Sequence, residues 1–327
     1  MQQKNYTIEF LRVVFTIYIV FRHTLAAIGV DNDLWLGVEF FFVLSGFLLS
    51  LTYRDQDSVF NFVFRKYLRF VPLVAFGCLL CAFVRPFSPL LLVSNLLLLS
   101  ETGSIVSSGA FNPPTWYLSV LLCGSAVIFM IIKYFNSRWA IISIGVMIGL
   151  AYLRRYGYEE CFSTEVPNSL LPHRFIRGLT EMGVGCIVGR LFMGNHLRVL
   201  KKSSLLKSAL LWPLLIAVIL GPIFPLRHHS GCITLLVLAC AALLYLIASG
   251  NNALNRPIWG NLSRYALAVF TTHYFTTFLL LKCCYEGGRA YIAAITAVFL
   301  SLVIGVLAHH IVECPSQKIA RRLLEGE

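Results

Sequence analysis

Apolar segments of about 20 residues recur along nearly the whole chain, and they constrain its fold more than any other feature. An α-helix needs a segment of this length to cross the hydrocarbon core of a bilayer. Of the 327 residues, 58% are hydrophobic and 13% are charged, whereas soluble domains carry about 25% charged residues. We therefore predict an all-α, polytopic transmembrane helix bundle that forms a single domain over residues 1–327. About ten spans are predicted, at 8–30, 34–53, 70–85, 115–133, 139–153, 178–194, 206–225, 231–249, 265–282 and 290–312.

The net charge of +12 raises the question of a nucleic-acid partner, but its distribution favours a role in membrane topology. Lys and Arg in short loops set the orientation of membrane helices. With ten crossings, most Lys and Arg fall on the side that carries both termini, and that side is then cytoplasmic. The sequence thus predicts a multi-pass protein of the cell (inner) membrane, in contact with membrane lipid and without a nucleic-acid partner.

The apolar segment 89–100 (PLLLVSNLLLLS) departs from this pattern because it is too short for a span. If it crossed the membrane, the following helices would be reversed and the basic loop at 190–207 would lie outside. We predict a re-entrant or interfacial segment on the outer side.

Arg12 and His23 lie within the first predicted span, although ionisable side chains are costly at membrane depth. Eleven residues at about 100° each come within roughly 20° of three turns, so both side chains share one helix face, about 16 Å apart. Arg12 could simply reach the interface with its charged end, and His23 could simply hydrogen-bond a neighbouring helix. The shared face instead favours a functional pair, with Arg12 at the cytoplasmic edge and His23 near the bilayer centre. Glu9 and Thr16 lie on the same face, and Glu9 could pair with Arg12.

Two carboxylates in predicted spans also require partners or a water-filled cavity. They are Glu39 in the second span and Glu181 in the sixth. We predict an ion pair between Glu39 and Arg22, and we place Glu181 among the residues that line the site.

A basic cluster follows the second predicted span and consists of Arg65, Lys66 and Arg69. Such a cluster can enforce topology or contact anionic lipid headgroups. Arg65 and Arg69 are also four residues apart, so they share a helix face that could hold phosphates through several donors. Arg12 is also expected on the cytoplasmic side. A polyanionic cofactor could therefore bind these cations on that side while a narrow part of the same molecule extends to His23.

Taken together, these segments resemble the acyltransferase 3 family of integral-membrane acyltransferases. Arg12 and His23 match the Arg/Lys-x10-His signature of that family. The segment 37–50 (GVEFFFVLSGFLLS) is similar to its FFxxSGF segment, and residues 65–72 are similar to its RxxR loop with the following proline. The resemblance covers nearly the whole chain and continues through 114–122 (PTWYLSVLL), His273-Tyr274 and Glu313-Cys314-Pro315.

The resemblance implies that acyl-CoA, usually acetyl-CoA, is the cytoplasmic donor and that a hydroxyl on the opposite side is the acceptor. We expect the acceptor to be an extracytoplasmic glycan or lipid-linked glycan, such as exopolysaccharide, capsule or lipopolysaccharide. His23 would be the essential base, because a neutral imidazole can take the proton of a weakly nucleophilic hydroxyl. Arg12 would act beside His23 and would also bind CoA together with Arg65, Lys66 and Arg69. Developing charge on the thioester oxygen needs a donor, and the candidates are Ser45, Trp116, Tyr117 and His273.

Two departures from the family pattern are visible. Glu39 stands where the family more often has Asp. Many relatives also carry an outer hydrolase-like domain, whereas we expect this chain to be a stand-alone form. No metal is expected either, because the adjacent His309 and His310 point to different sides of a helix and so do not join Glu313 as ligands.

The outer loop 154–177 contains both signs of charge. Ion pairing within the loop is one interpretation. The other is an acceptor site for an anionic glycan or a lipid-linked phosphate. The residues are Arg154, Arg155, Arg174 and Arg177, together with Glu159, Glu160 and Glu165.

The cysteines and several glycines are expected to have structural roles. The ten cysteines lie mostly in or beside predicted spans, where a free thiol acts as a small apolar side chain. Glycines four residues apart, at 145 and 149 and at 185 and 189, predict close packing between helices.

Two alternative functions remain open at this stage. A transporter or flippase for a sugar, an amino acid or a lipid-linked glycan would also place His, Arg and Glu inside the membrane, but the sequence has no inverted repeat and no paired broken helices. A receptor or scaffold without catalysis would not need the face shared by Arg12 and His23. The sequence therefore favours an acetyl-CoA-dependent O-acetyltransferase.

Overall fold

The computed structural model describes residues 5–100, 110–157, 172–194, 204–224, 226, 229–250, 252–284 and 290–325. Within these ranges all regular elements are helical, as the composition predicts. The helices are α1 (Tyr6–Ala27), α2 (Gly37–Thr52), α3 (Val59–Ala82), α4 (Pro89–Leu96), α5 (Trp116–Tyr134), α6 (Arg138–Tyr156), α7 (His173–Met193), α8 (Ser204–Leu220), α9 (Ser230–Ala248), α10 (Pro257–Ser263), α11 (Ala266–Cys284), α12 (Ala290–Ala308) and α13 (Cys314–Glu325). A π-helical turn at His309–Glu313 joins α12 to α13.

Six helical segments in the described part of the chain are long and apolar enough to cross a membrane. They are Tyr6–Ala27, Leu34–Thr52, Pro113–Tyr134, Leu205–Ile223, Ser230–Ala248 and Ala290–Leu324. The other four predicted spans coincide with α3, α6, α7 and α11, which have 24, 19, 21 and 19 residues. The protein is thus a polytopic membrane protein, and the total of about ten crossings stays a prediction.

Helix α3 begins at Val59, well before the predicted start at residue 70. The Ser58 hydroxyl oxygen accepts a hydrogen bond from the Asn61 backbone N–H, 3.0 Å away, and caps the helix. The basic cluster is therefore helical and continuous with the apolar part of α3. A prediction based on apolar runs misses this part of α3, because the charged residues interrupt the apolar pattern.

Helix α4 has eight residues and extends about 12 Å, which is too short to cross a bilayer of about 30 Å. Its buried Asn95 joins it to the neighbouring helices. The Asn95 side-chain oxygen accepts hydrogen bonds from the Asn112 backbone N–H at 3.0 Å and the Thr115 hydroxyl at 2.7 Å. The Asn112 amide in turn donates to the Thr271 carbonyl oxygen of α11 at 2.8 Å.

Helices α2 and α7 pack closely against each other. Gly185 of α7 lies against the backbone of Val43, and Gly189 lies against Phe47 and Ser50 of α2. A Cβ atom at either glycine would overlap the opposing helix. The predicted packing role is therefore confirmed for this pair.

In the second predicted glycine pair, Gly149 packs against another helix and Gly145 does not. Gly149 of α6 lies against Thr180 of α7, where a Cβ atom would overlap the threonine side chain. No atom lies within 4 Å of a Cβ built on Gly145, so the packing prediction is wrong for that residue.

Helix α1 packs against α2, α10 and α11, and α11 packs against α3 and α12. Asn5 caps α1 by accepting a hydrogen bond from the Thr7 backbone N–H at 3.1 Å. This arrangement places α1, the helix of Arg12 and His23, beside α2, α10 and α11.

Candidate active site

A cavity of about 370 Å³ lies among α1, α2, α3, α5 and α11. Its wall is largely apolar, with Leu, Phe and Ala side chains from four of these helices. The polar residues in the wall are Arg12, Thr16, Ser45, Thr52, Lys66, Arg69 and Tyr117. Six of them lie in motifs that the sequence analysis singled out, and the structure brings these separate motifs to one site.

Three cations line the cavity, and none of its described lining residues is a carboxylate. Arg12 donates to a Glu9 carboxylate oxygen at 3.0 Å, which confirms the predicted pair. Lys66 donates to the Ser125 hydroxyl at 3.0 Å. Within the described residues Arg69 has no hydrogen-bond or ion-pair partner, although Arg12, Glu9 and Glu313 lie within electrostatic range. Among the described residues, Arg69 is therefore the cation of this cavity that is not engaged in a hydrogen bond or ion pair.

Arg65 does not line this cavity. Its guanidinium donates to a carboxylate oxygen of Asp57 at 2.6 Å, on the exposed side of α3. Arg65 and Arg69 are four residues apart as expected, but Asp57 draws the Arg65 side chain away. The structure thus brings Lys66 and Arg69, and not Arg65, to Arg12.

Polar groups continue deeper along the wall. The Ser45 hydroxyl donates to the Phe41 carbonyl oxygen at 2.7 Å, and the Thr16 hydroxyl donates to the Arg12 carbonyl oxygen at 2.7 Å. The Tyr117 hydroxyl lies beside Ser45, and its ring centroid is 5.5 Å from that of Phe270. Ser45 and Tyr117 therefore line the site as predicted.

His23 and His273 lie next to each other, just beyond the cavity. Their ring centroids are 5.1 Å apart, and the Tyr274 ring is 5.6 Å from that of His23. Phe270 belongs both to the cavity wall and to the contacts of His273, with centroids 6.0 Å apart. The Phe270 ring thus contacts both the cavity and His273.

His273 is fully buried, and its two ring nitrogens differ. Its Nδ1 lies 2.8 Å from the Phe270 carbonyl oxygen, which can only accept, so Nδ1 carries the proton. Its Nε2 has no hydrogen-bond partner among the described residues. A neutral His273 therefore presents an acceptor at Nε2 and cannot donate a hydrogen bond from that atom.

The buried carboxylates Glu39 and Glu181 belong to a separate cluster. Arg177 of α7 pairs with both oxygens of Glu39, with Nε 3.2 Å from one of them, and Nε is also 3.5 Å from Glu181. All three side chains are at most 1% exposed, and the Arg177 guanidinium lies over the Trp35 ring at 4.7 Å. The predicted Glu39–Arg22 pair is wrong, because α7 supplies the partner instead.

The family model described as "Acyltransferase domain" matches residues 5–310. The chain belongs to this acyltransferase family. No curated protein and no solved structure matches it. The membrane acyltransferase inferred from the motifs is therefore confirmed at the level of the family.

Besides Arg65 and the two histidines, three further predicted positions in this membrane acyltransferase lie away from the cavity wall. Trp116 begins α5, and the Arg174 guanidinium lies over its ring, with Cζ 5.2 Å from the ring centroid. Glu39 and Glu181 are held in the Arg177 cluster. Trp116 and Arg174 together place the start of α5 beside the start of α7.

The predicted acceptor loop of the acyltransferase is only partly described. Arg177 is a buried residue of α7 and not a surface arginine, so the loop assignment is wrong for it. Arg154 and Arg155 are exposed in the last turn of α6. Glu159, Glu160 and Glu165 lie outside the described residues.

Sequence reasoning missed the roles of Arg177 and Phe270. The sixth span was predicted to begin at residue 178, one residue after Arg177, which left that arginine in a loop. Phe270 is an ordinary apolar residue in an apolar helix, and no sequence signal distinguishes it. For Arg177, its spacing of four residues from Glu181 was the available signal.

Proposed function

We propose that this membrane acyltransferase moves an acetyl or similar short acyl group from acyl-CoA to a hydroxyl of an extracytoplasmic glycan. The acceptor would be exopolysaccharide, capsule, lipopolysaccharide or a lipid-linked precursor. The donor would enter from the cytoplasmic side of the inner membrane, where both termini would lie. One observation carries the proposal: Arg12, Lys66 and Arg69 line a single cavity that has no described carboxylate in its wall.

The cavity suits an anionic ligand with an apolar part. Guanidinium groups bind phosphate oxygens through several donors at once, and a lysine adds a point charge. Arg69 is available for such a contact because its guanidinium has no hydrogen-bond partner among the described residues. The phosphates of CoA would bind at these cations, and its arm would follow the apolar wall.

The arm would be directed toward His23. Arg12 and His23 share one face of α1, about 16 Å apart, and Thr16, which lies between them, lines the cavity. Buried Ile19 and Val20 occupy the next turn, and the Phe270 ring lines the cavity beside His273. Movement of the Phe270 ring would therefore connect the cavity with the histidines.

At His23 the imidazole would take the proton of the acceptor hydroxyl as its oxygen attacks the thioester carbon. The new C–O ester bond forms, the C–S bond breaks, and the CoA thiolate leaves and is protonated. The developing oxyanion requires a hydrogen-bond donor. We favour Tyr117, because the free nitrogen of His273 is an acceptor and the Ser45 hydroxyl already donates to Phe41.

The test is release of CoA thiol by the purified protein with acetyl-CoA and a pool of glycan acceptors. We expect acceptor-dependent release, and we expect His23→Gln to lower it by about 10²- to 10⁴-fold. His229→Gln, at an exposed histidine before α9, is the matched control and should retain full release. No release with any acceptor pool, or full release by His23→Gln, would overturn the proposal. Mass spectrometry of surface glycans with and without the protein would then identify the acceptor.

A further inference from the structure

A second group of reactive side chains lies at the junction of α12 and α13. Cys314 Sγ is 3.4 Å from His309 Nε2, and His309 Nδ1 is 2.7 Å from a carboxylate oxygen of Glu313. The Gln317 amide donates to the other Glu313 oxygen at 3.0 Å. The three groups therefore form a continuous thiol–imidazole–carboxylate chain, and Gln317 holds the carboxylate.

The π-helical turn at His309–Glu313 makes this chain possible. In an α-helix, residues five apart are separated by about 140° around the axis, so Cys314 would point away from His309. The wider i→i+5 hydrogen bonding of a π-turn brings such residues onto one face. Turns of this kind are rare and are often found at functional sites.

The hydrogen bonds also set the direction of proton transfer. Nδ1 of a neutral His309 donates to the Glu313 carboxylate, so Nε2 is left as the acceptor that faces the thiol. A nucleophile next to a base that is itself oriented by a third group is the arrangement of covalent catalysis. Cys314 is partly exposed, whereas Cys78, Cys81, Cys186 and Cys240 are buried.

The cluster lies beside the donor cavity. Glu313 is within electrostatic range of Arg69, which lines the cavity, and α13 packs against α3. The Tyr265 ring centroid is 5.0 Å from that of His309, and the next residue, Ala266, is part of the cavity wall. A thioester that approaches the cavity from its basic end would pass close to this thiol.

We propose that Cys314 is a second, covalent acyl site that accepts an acyl group from a CoA thioester at the mouth of the cavity. This inference rests on the proposed function for the identity of the donor. The thiol proton passes to His309 Nε2, and the thiolate attacks the thioester carbon. The new S–C bond forms on Cys314, the S–C bond to CoA breaks, and the CoA thiolate takes up the proton. One thioester replaces another, so the step needs no further reactant and is reversible.

A metal site or a purely structural cluster at this junction would behave differently. The described residues contain no group of three His, Cys, Asp or Glu side chains arranged to hold a metal ion, so a metal site is not favoured. If the hydrogen bonds served only to stabilise the junction of α12 and α13, Cys314 would be no more reactive than any other exposed thiol.

The experiment incubates the full-length protein with radiolabelled acetyl-CoA without acceptor and maps the label by peptide mass spectrometry. We expect one acetyl group on the Cys314 peptide, removable by neutral hydroxylamine or by excess CoA. Cys314→Ala should abolish this label, and Cys232→Ser, at an exposed cysteine of α9, should not change it. The Cys232 peptide serves as an internal control for non-specific acetylation.

His309→Gln should slow the labelling of Cys314 by about 10²- to 10⁴-fold, because the thiol loses its base. Glu313→Gln should cause a smaller fall in the limiting rate and leave the half-saturating acetyl-CoA concentration unchanged. A purely structural Glu313 would not separate these two quantities. Equal labelling of Cys232 and Cys314, or unchanged labelling in His309→Gln, would overturn the inference.

Acceptor-dependent CoA release measured in the same samples distinguishes the two proposals. Release that depends on His23, with no label on Cys314, would overturn the covalent site and support the proposed function. Label on Cys314 without any acceptor-dependent release would do the reverse. The absence of both would overturn both.

Discussion

Two groups of charged side chains between the helices of this protein differ in how they are compensated. Between α2 and α7, Arg177 is paired with Glu39 and Glu181, and all three side chains are at most 1% exposed. Around the cavity, Arg12, Lys66 and Arg69 face open space, with Glu9 as the nearest carboxylate partner. Both groups come from ionisable residues that a bilayer disfavours, yet only the second has charge available for a ligand.

The difference teaches how to distinguish a structural charge from a functional one in a membrane helix. A buried ion pair costs several kcal/mol per ion to desolvate and is retained only where its geometry is well satisfied. Arg177 and Glu39 meet this condition through two hydrogen bonds, and the pair joins two helices whose glycines already permit close contact. Arg69 has no hydrogen-bond partner among the described residues, so we assign it to ligand binding.

The largest expected effect is a loss of stability when the cluster of Arg177, Glu39 and Glu181 is broken. Arg177→Gln removes the cation that pairs with the buried carboxylates of Glu39 and Glu181, and we expect a loss of about 3–5 kcal/mol in unfolding free energy. Thermal unfolding of the purified protein in detergent measures the loss. Arg69→Gln, at one of the cations that line the cavity, is the matched control and should leave the unfolding temperature near that of the wild type. Equal stability of the two variants would contradict the contrast between the groups.

The next effect should fall on catalysis and not on stability. Tyr117→Phe removes the donor that we assign to the oxyanion, and we expect acceptor-dependent CoA release to fall by about 10²- to 10³-fold. Binding of acetyl-CoA and the unfolding temperature should stay unchanged. Full activity in this variant would transfer the donor role to another residue.

Helix contact gives the third prediction. Gly185→Ala forces a Cβ atom against the Val43 backbone, so α2 and α7 must separate; we expect a loss of about 1–3 kcal/mol in unfolding free energy. Gly145→Ala meets no atom within 4 Å and should raise stability by about 0.5–1 kcal/mol through helix propensity. Detergent unfolding of the two variants side by side measures the difference, and the same sign for both would contradict it.

The smallest effect concerns the exposed pair on α3. Asp57→Asn removes the partner of Arg65, and exposed pairs contribute about 0–1 kcal/mol to stability. We expect an unfolding temperature close to that of the wild type. A larger loss would show that this pair is part of the structural framework.

The sequence predicts the helical class and the approximate position of the apolar helices because apolar runs dominate the chain, but it places the starts of α3 and α7 too late. It also predicts the Glu9–Arg12 pair and the Gly185 contact, since both depend on helical spacing alone. It does not predict that Arg177 pairs with Glu39, because these residues lie 138 positions apart and only tertiary packing brings them together.

The candidate site was predictable to a similar extent. Motif order indicated that Arg12, Lys66 and Tyr117 belong to one site, and the structure places all three on one cavity. Arg65 was included for its spacing from Arg69, but the competing carboxylate of Asp57 is eight residues away and was not considered. The π-turn that brings Cys314 to His309 has no spacing rule, because α-helical periodicity places these residues on different faces.

The central claim is that the cations of the cavity wall, Arg12, Lys66 and Arg69, bind the anionic part of acyl-CoA. Equilibrium binding of CoA to purified variants tests this claim most directly. Arg69→Gln should weaken binding by about 10- to 100-fold, as expected for the loss of a hydrogen bond to a charged group. Arg65→Gln, four residues away but held by Asp57 outside the cavity, should weaken it by less than about threefold at physiological salt. Equal weakening by the two variants, or no change in Arg69→Gln, would contradict the account.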